Sequence, residues 1–203
     1  MKVRDWHLPP GEKHLVPYIK RDNGYQQPER DHALSYVREF YVAVDIGAHV
    51  GLWAKELCER FETVYAFEPI REHANALKLN VPSPNLYVYE VGLGKEISVA
   101  GFEVPKGSSG GTHINLKGTS HPIRTLDSYP FRRIDFMKID VEGHELDILV
   151  GGRETLLLHK PVINLEKKPH KHMSVPPEAA GDYLDSLGAK LLGTFKSELV
   201  YGW

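Results

Sequence analysis

The stretch Val42 to Gly51, VAVDIGAHVG, constrains the fold more than any other part of the chain. Val42, Ala43, Val44 and Ile46 favour a strand, interrupted only by Asp45, and they run into two glycines four residues apart, Gly47 and Gly51. A helix follows at once. Leu52, Trp53, Leu57, Cys58 and Phe61 recur at helical spacing, while Lys55, Glu56, Glu59 and Arg60 take the other face. A buried strand opening through a glycine loop into a helix lets backbone approach a polar cofactor closely.

From Val42 onward strand and helix signals alternate, which is the mark of a parallel sheet with helices packed on it. Strands are predicted at Thr63 to Phe67, closed by Glu68-Pro69, at Leu86 to Val91, at Asp135 to Val141 and at Pro161 to Glu166. Helices are predicted over Arg71 to Asn80, over Glu145 to Leu158 with a break expected at Gly151-Gly152, and over PPEAAGDYLDSLGA with Gly188 as its stop. Lys190 to Phe195 and Glu198 to Trp203 are joined by only Lys196-Ser197, so they must run antiparallel. The predicted fold is therefore α/β: a seven-stranded, mostly parallel, Rossmann-like sheet with an antiparallel C-terminal hairpin and helices on both faces.

Two regions break the alternation. Residues 95–129 read as an insertion over the sheet, with ISVAGFEV as an antiparallel strand and GSSGGTHI as a mobile loop. The first forty residues are rich in proline, glycine and charge, and their one helix is expected from Glu29 to Phe40. At 203 residues the length suits one domain, with residues 1–40 as a cap and 42–203 as the core.

Composition narrows the partners. A formal charge of −2, from 25 basic and 27 acidic residues, supplies no overall field for nucleic acid or an anionic membrane. The one cysteine, Cys58, falls on the apolar face of a predicted helix, and no disulfide can form within the chain. MKVRDWHLPPGEK lacks the apolar run of a signal peptide, and no window approaches a membrane span. The expectation is a soluble, cytoplasmic protein with a small-molecule or glycan partner.

The glycine spacing bears on the cofactor. A nicotinamide dinucleotide calls for G-x-G-x-x-G, whereas this loop reads D-x-G-x-x-x-G, and no lysine-bearing phosphate loop is present. What remains is an acid at the end of the first strand, Asp45, a glycine pair, and a second acid, Glu68, at the end of the next strand. Glu68 can accept both hydroxyls of a ribose, and Asp45 with the loop backbone of Gly47, His49 and Gly51 can hold the amino-acid part of S-adenosylmethionine. Glu90, at the end of the third strand, is placed near an adenine. This combination favours S-adenosylmethionine over a nicotinamide.

VDIGAHVG, YAFEP, TLDS at Thr125 to Ser128, MKIDVEGHELDILVGG and PVINLE together resemble, in order and spacing, the FkbM family of S-adenosylmethionine-dependent methyltransferases. The resemblance covers about Val42 to Glu166. It implies a class I methyltransferase sheet and methylation of a hydroxyl on a sugar or a secondary metabolite. The family generally carries Asn where this chain has His49.

The reacting end of such a site lies at the carboxyl ends of the strands, where Asp140, Glu142 and His144 fall. Transfer to an alcohol requires alignment with the methyl group and removal of a proton. His144, with an ordinary pKa of about 6.5, is the chemical candidate for the base, and Asp140 and Glu142 would orient it, hold the acceptor or contact the cofactor. Solvated residues at a helix start account equally for His144. Glu166 and His113 are assigned to the acceptor, His113 from a lid, while His170 and His172 read as solvated loop residues. Asp140, Glu142 and Glu166, with His144 nearby, could also hold a divalent metal, but no tight motif demands one and the metal-free reading is preferred. Two readings compete with a sugar O-methyltransferase: an RNA ribose methyltransferase, which the near-neutral charge disfavours, and a non-catalytic binding module on the same fold.

Overall fold

The computed structural model describes residues 1–21, 25–115, 118–169 and 175–203. Its centre is a seven-stranded sheet. The chain enters that sheet through β3 (Val42–Ile46), after a short hairpin of β1 (Lys2–Val3) and β2 (Trp6–His7) and two helices, α1 (Val16–Arg21) and α2 (Gln27–Leu34). It then builds outward through α3 (Leu52–Arg60), β4 (Thr63–Phe67), α4 (Arg71–Asn80) and β5 (Leu86–Tyr89). Four strands of a second sheet follow: β6 (Gly92–Leu93), β7 (Ser98–Glu103), β8 (His113–Ile114) and β9 (Thr119–Arg124). The chain returns to the centre as β10 (Phe136–Ile139), α5 (Glu145–Val150), α6 (Arg153–His159) and β11 (Val162–Glu166). It closes with α7 (Ala179–Ser186), β12 (Lys190–Phe195) and β13 (Glu198–Gly202).

The order across the central sheet is β12-β13-β11-β10-β3-β4-β5. The five strands from β11 to β5 are parallel, while β13 runs antiparallel to both β11 and β12. Strand order reverses between β3 and β10, and a crevice opens there at the carboxyl ends of the strands. This is the class I methyltransferase arrangement.

Alternation along the strands decides which helix covers which face. Ala43, Val64 and Phe136 pack with Trp53, Leu57 and Phe61 of the α3 region and with Ala33 and Leu34 of α2. Val44, Ile46, Phe67, Met137 and Ile139 point the other way, into a core with Ile148, Leu149, Leu156 and Leu184 from α5, α6 and α7. Buried on both faces, β3 and β10 are near-continuously apolar, so the charged residues within them, Asp45 and Lys138, stand out. No helix among the described residues is long and apolar enough to cross a membrane.

Three sequence expectations change. The helix predicted over Glu29 to Phe40 is α2, which starts at Gln27, with Pro28 in its first turn, and ends at Leu34. Bonds from Tyr36 N to Ala33 O and from Val37 N to Leu34 O tighten the end, and Phe40 instead meets Phe61 ring to ring at 5.0 Å. The residues of GSSGGTHI are held rather than loose: Ser109 to Gly111 form a 3₁₀ turn with Ser109 buried, and His113–Ile114 pairs with β7. Cys58 is only half-buried.

The break at Gly151-Gly152 falls where expected, for a steric reason. A Cβ on Gly151 would overlap the carbonyl oxygen of Gly94, and one on Gly152 would press on Leu126. The α5–α6 corner thus lies directly against the chain leaving β6. Gly151→Ala is expected to destabilise the protein by about 1–3 kcal/mol, whereas Gly111→Ala, where a Cβ would meet nothing nearer than 3.8 Å, should cost less. Urea denaturation of both variants checks this; an equal effect would remove the close approach as the cause.

Candidate active site

The glycine loop is built as a turn over the end of β4. The N–H groups of Gly47 and Ala48 donate to the Phe67 carbonyl, and Gly47, His49 and Gly51 all take positive φ, 79°, 50° and 93°. A Cβ at Gly47 would overlap the Asp140 carbonyl oxygen, and one at Gly51 would lie 2.9 Å from Val81 Cγ2. Glu68 sits beneath the loop. Its Oε2 accepts the His49 N–H at 2.9 Å and its Oε1 the Ile70 N–H at 2.9 Å, with His73 Nδ1 at 3.3 Å. Burial raises the Glu68 carboxyl, but His73, His49 and the backbone donors outweigh it and hold the group below the usual carboxylate range. Oε1 thus meets both Ile70 N–H and His73, while Oε2 takes one backbone donor and keeps a lone pair for a hydroxyl.

His49 is the hinge pin of this corner. Its ring meets His73 edge-on at 4.7 Å, and its Nε2 lies 2.8 Å from Ser109 Oγ. Ser109 donates its hydroxyl hydrogen to Glu12 Oε2 at 2.5 Å and its N–H to the same oxygen at 2.7 Å. With that proton committed, Ser109 Oγ accepts from His49, which places the imidazole hydrogen on Nε2. Glu12 also caps the N-terminal segment by accepting the Leu15 N–H. A chain of contacts therefore runs from the first residues, through the 3₁₀ turn, onto the glycine loop.

Two cavities meet at His49. The larger, of about 340 Å³, is lined by His14, Tyr25, Trp53, Lys138, Asp140 and Glu166 among others. The smaller, of about 60 Å³, reaches Glu68, Pro69 and His73. Gly47, His49, Gly110, Asp140 and Glu142 line both.

The larger cavity is acidic, with a cation in its floor. Lys138 of β10 is paired in register with Asp45 of β3, and its Nζ lies 3.6 Å from Asp45 Oδ1 and 3.5 Å from Asp140 Oδ2. Burial disfavours a charged lysine, but Asp140 and Asp45 overcome it and keep the group protonated. For Asp45, which is wholly buried with neither oxygen hydrogen-bonded, burial pushes the carboxyl up while Lys138 opposes. An ammonium lying between two carboxylates is the arrangement the geometry supports, so Lys138 is charged. Asp140 and Glu142 follow β10, and Glu166 ends β11. Burial, then Asp140 and Glu166, pushes Glu142 up to about 7; burial and Asp140 likewise raise Glu166, against Lys168 at 3.0 Å. Glu198, across from Glu166 on β13, is pushed to about 7 by burial and the same acids.

The family model for the methyltransferase FkbM domain matches residues 45–190. The chain belongs to the FkbM methyltransferase family. Among curated proteins, the hexuronic acid methyltransferase AglP of Haloferax volcanii is 29% identical over 131 residues, covering 61% of this chain and 54% of that protein. The chain thus spans about half the length of this curated relative. Among solved structures, an FkbM methyltransferase from Methylobacillus flagellatus superimposes with a TM-score of 0.58 at 19% identity, over 94% of this chain and 52% of that one. Precorrin-6y C5,15-methyltransferase from Geobacter metallireducens gives 0.53 at 17% identity, over 87% and 88%.

In this FkbM chain the residues expected from sequence separate into two groups. Gly47, His49, Glu68, Asp140, Glu142 and Glu166 converge on the cavities, Gly51 opens α3 behind them, and Asp45 lies in the floor rather than the lining. His144, Glu90 and His113 line neither cavity. His144 precedes α5, its Nδ1 3.8 Å from Asp147 Oδ2, because Glu142 and Gly143 take φ of 53° and 102° and turn the chain away. Glu145, at the start of that helix, braces the turn by accepting the N–H groups of Val141 and Gly143. Glu90 pairs with Lys78 at 2.6 Å on the surface, and His113 Nδ1 lies 3.1 Å from the Gly111 carbonyl. His170 and His172 lie outside the described residues.

Lys138, His73, Glu12, Ser109 and Lys168 join the site without having been singled out. Lys138 carried a signal, a cation inside an apolar strand; Glu12 and Ser109, 97 residues apart, carried none. His49 yields a test. Burial, then His73, depresses its imidazole to about 3. An unfolded His49 binds a proton below about 6.5 and the folded one does not, so stability is lost as pH falls from there towards 3. His49→Asn, which also suits the positive φ, is expected to lose less unfolding free energy than the wild type between about pH 7 and about pH 4.5. Urea titrations at the two pH values measure it, and equal losses would clear His49 of this role.

Proposed function

We propose that the chain binds S-adenosylmethionine across the two cavities and methylates a hydroxyl of a sugar or similar polar small molecule. One observation carries this reading: Asp140, Glu142 and Glu166 from the ends of β10 and β11 face the same cavity as the glycine loop from the end of β3. The donor set fits the cofactor. Glu68, through the lone pair left on Oε2, would take a ribose hydroxyl, and the carbonyl oxygens of Gly47 and His49, in a loop whose N–H groups already donate to Phe67 and Glu68, would accept from the ammonium of the amino-acid part. When bound, S-adenosylmethionine supplies an electrophilic methyl group on a positively charged sulfur.

The protein's own part is placement and proton removal. Asp140 and Glu142 accept a hydrogen bond from the acceptor hydroxyl, orient an oxygen lone pair and draw off the proton; Glu142, pushed to about 7, can take one near neutrality. Tyr25 and Trp53 give the cavity apolar faces against which a sugar ring can lie. A sugar acceptor is supported by the Haloferax relative, whose name carries hexuronic acid. A cytoplasmic setting goes with the same proposal, because the donor is an intracellular metabolite.

Calorimetry with S-adenosylhomocysteine is expected to show binding that Glu68→Gln weakens by about tenfold or more. Asp140→Asn should leave that affinity in place while lowering turnover by about 10²–10⁴. Turnover is read by mass spectrometry of sugar and glycan pools incubated with methyl-labelled S-adenosylmethionine. No binding of the product form would end the proposal.

A further inference from the structure

Glu68 has room for one hydroxyl, and a ribose offers two. Its Oε1 already accepts the Ile70 N–H at 2.9 Å and lies 3.3 Å from His73 Nδ1, so only Oε2, which accepts the His49 N–H, keeps a lone pair. The wall beside it holds another group of the right kind. His73, in the first turn of α4, is 1% exposed and lines the smaller cavity together with Glu68, His49, Ser109 and Thr112. Neither of its ring nitrogens has a hydrogen-bond partner, and Nδ1 meets Glu68 only as a longer contact between a ring nitrogen and a carboxylate. Packing does not call for an imidazole here. The other buried residues of α4, Ala74, Ala76 and Leu77, are apolar, and an apolar ring would fill the same space without leaving two buried polar atoms unpaired.

The carboxylate assigns the tautomer. A lone pair on Nδ1 would face the negative Glu68 Oε1, so the ring hydrogen belongs on Nδ1 and the lone pair on Nε2. Nε2 is then a buried acceptor that no donor in the protein satisfies. We propose that His73 is a second cofactor-binding residue beside Glu68, its Nε2 accepting a hydrogen bond from one ribose hydroxyl while Glu68 Oε2 accepts from the other. The assignment rests on the S-adenosylmethionine reading above. Both acceptors belong to one short stretch of chain, Glu68 after β4 and His73 in the first turn of α4, and the Ile70 N–H between them is bonded to Glu68, so their spacing is fixed locally. The edge-on contact with His49 at 4.7 Å holds the plane of the His73 ring. A site built from two such acceptors rejects a ligand that lacks either hydroxyl, because the acceptor left behind is buried and unpaired.

Calorimetry on the full chain with S-adenosylhomocysteine and with its 2′-deoxy and 3′-deoxy analogues reads this contact. His73→Phe keeps a ring against His49 and removes both nitrogens. The variant is expected to bind S-adenosylhomocysteine about tenfold more weakly than the wild type. With one of the two analogues, the one lacking the hydroxyl that Nε2 holds, variant and wild type should bind alike, which is the coupling a direct contact requires. Folding is checked by circular dichroism, and His73→Leu gives the same comparison should the phenylalanine variant not fold. Equal losses for all three ligands mean that His73 acts through packing and overturn the proposal, as does undiminished binding of S-adenosylhomocysteine. If the wild type does not bind S-adenosylhomocysteine at all, the cofactor reading fails and this inference with it; binding that ignores His73 removes this inference alone.

Discussion

The buried ammonium of Lys138 holds the site together. It lies in register with Asp45 across the β3–β10 pair and reaches Asp140 at the strand end, so it ties the glycine loop's strand to the strand that carries the reacting acids. The pair straddles the place where strand order reverses, and the backbone pairing of β3 with β10 runs on to the Asp140 N–H, which donates to the Ile46 carbonyl at 3.2 Å. Burying the charges of Lys138 and Asp45 is costly, and removing one partner of such a group typically costs about 3–5 kcal/mol because the other is left uncompensated. The cluster is therefore better understood as a fixture for geometry than as a source of stability. It sets the separation between the loop from β3 and the carboxylates after β10.

Much of this was legible in the sequence, and the limits have physical causes. The strand–loop–helix of Val42 to Arg60, the acid at Glu68 and the break at Gly151-Gly152 depend on local rules: strand and helix periods, turn residues, close approach. They could be read one segment at a time. His144 could not, because the direction of its side chain depends on two consecutive positive φ values at Glu142 and Gly143, and only the second is a glycine. Without that turn, residues 140, 142 and 144 read as one alternating row. Glu90 lies outside the two cavities for a related reason: β5 ends at Tyr89, one residue before it, and Lys78 of α4 pairs with its carboxylate.

The N-terminal segment and the insertion show the other limit. Neither carries a pattern of its own, so each read as a covering of unspecified purpose. Their order comes from each other: Glu12 supplies acceptors for both the N–H and the hydroxyl of Ser109, and the Gly107 carbonyl accepts the N–H groups of Lys13 and His14. Long-range polar pairs of this kind leave no periodic trace. They also explain why a glycine-rich stretch is held in place, since its conformational freedom is offset by donors and acceptors from elsewhere in the chain.

The Glu12–Ser109–His49 chain has a kinetic consequence. The space at Glu68 is about 60 Å³, far below the few hundred needed by a nucleoside-sized ligand. A ligand of that size that reaches Glu68 from the larger cavity passes beside the Ser109–His49 contact, which the Glu12–Ser109 bonds tie to the chain's N-terminal segment. If that corner opens to widen the path, admission proceeds no faster than a loop motion that in enzymes commonly takes microseconds to milliseconds. Residues far from the reacting carboxylates would thus set the tempo at which the pocket fills and empties.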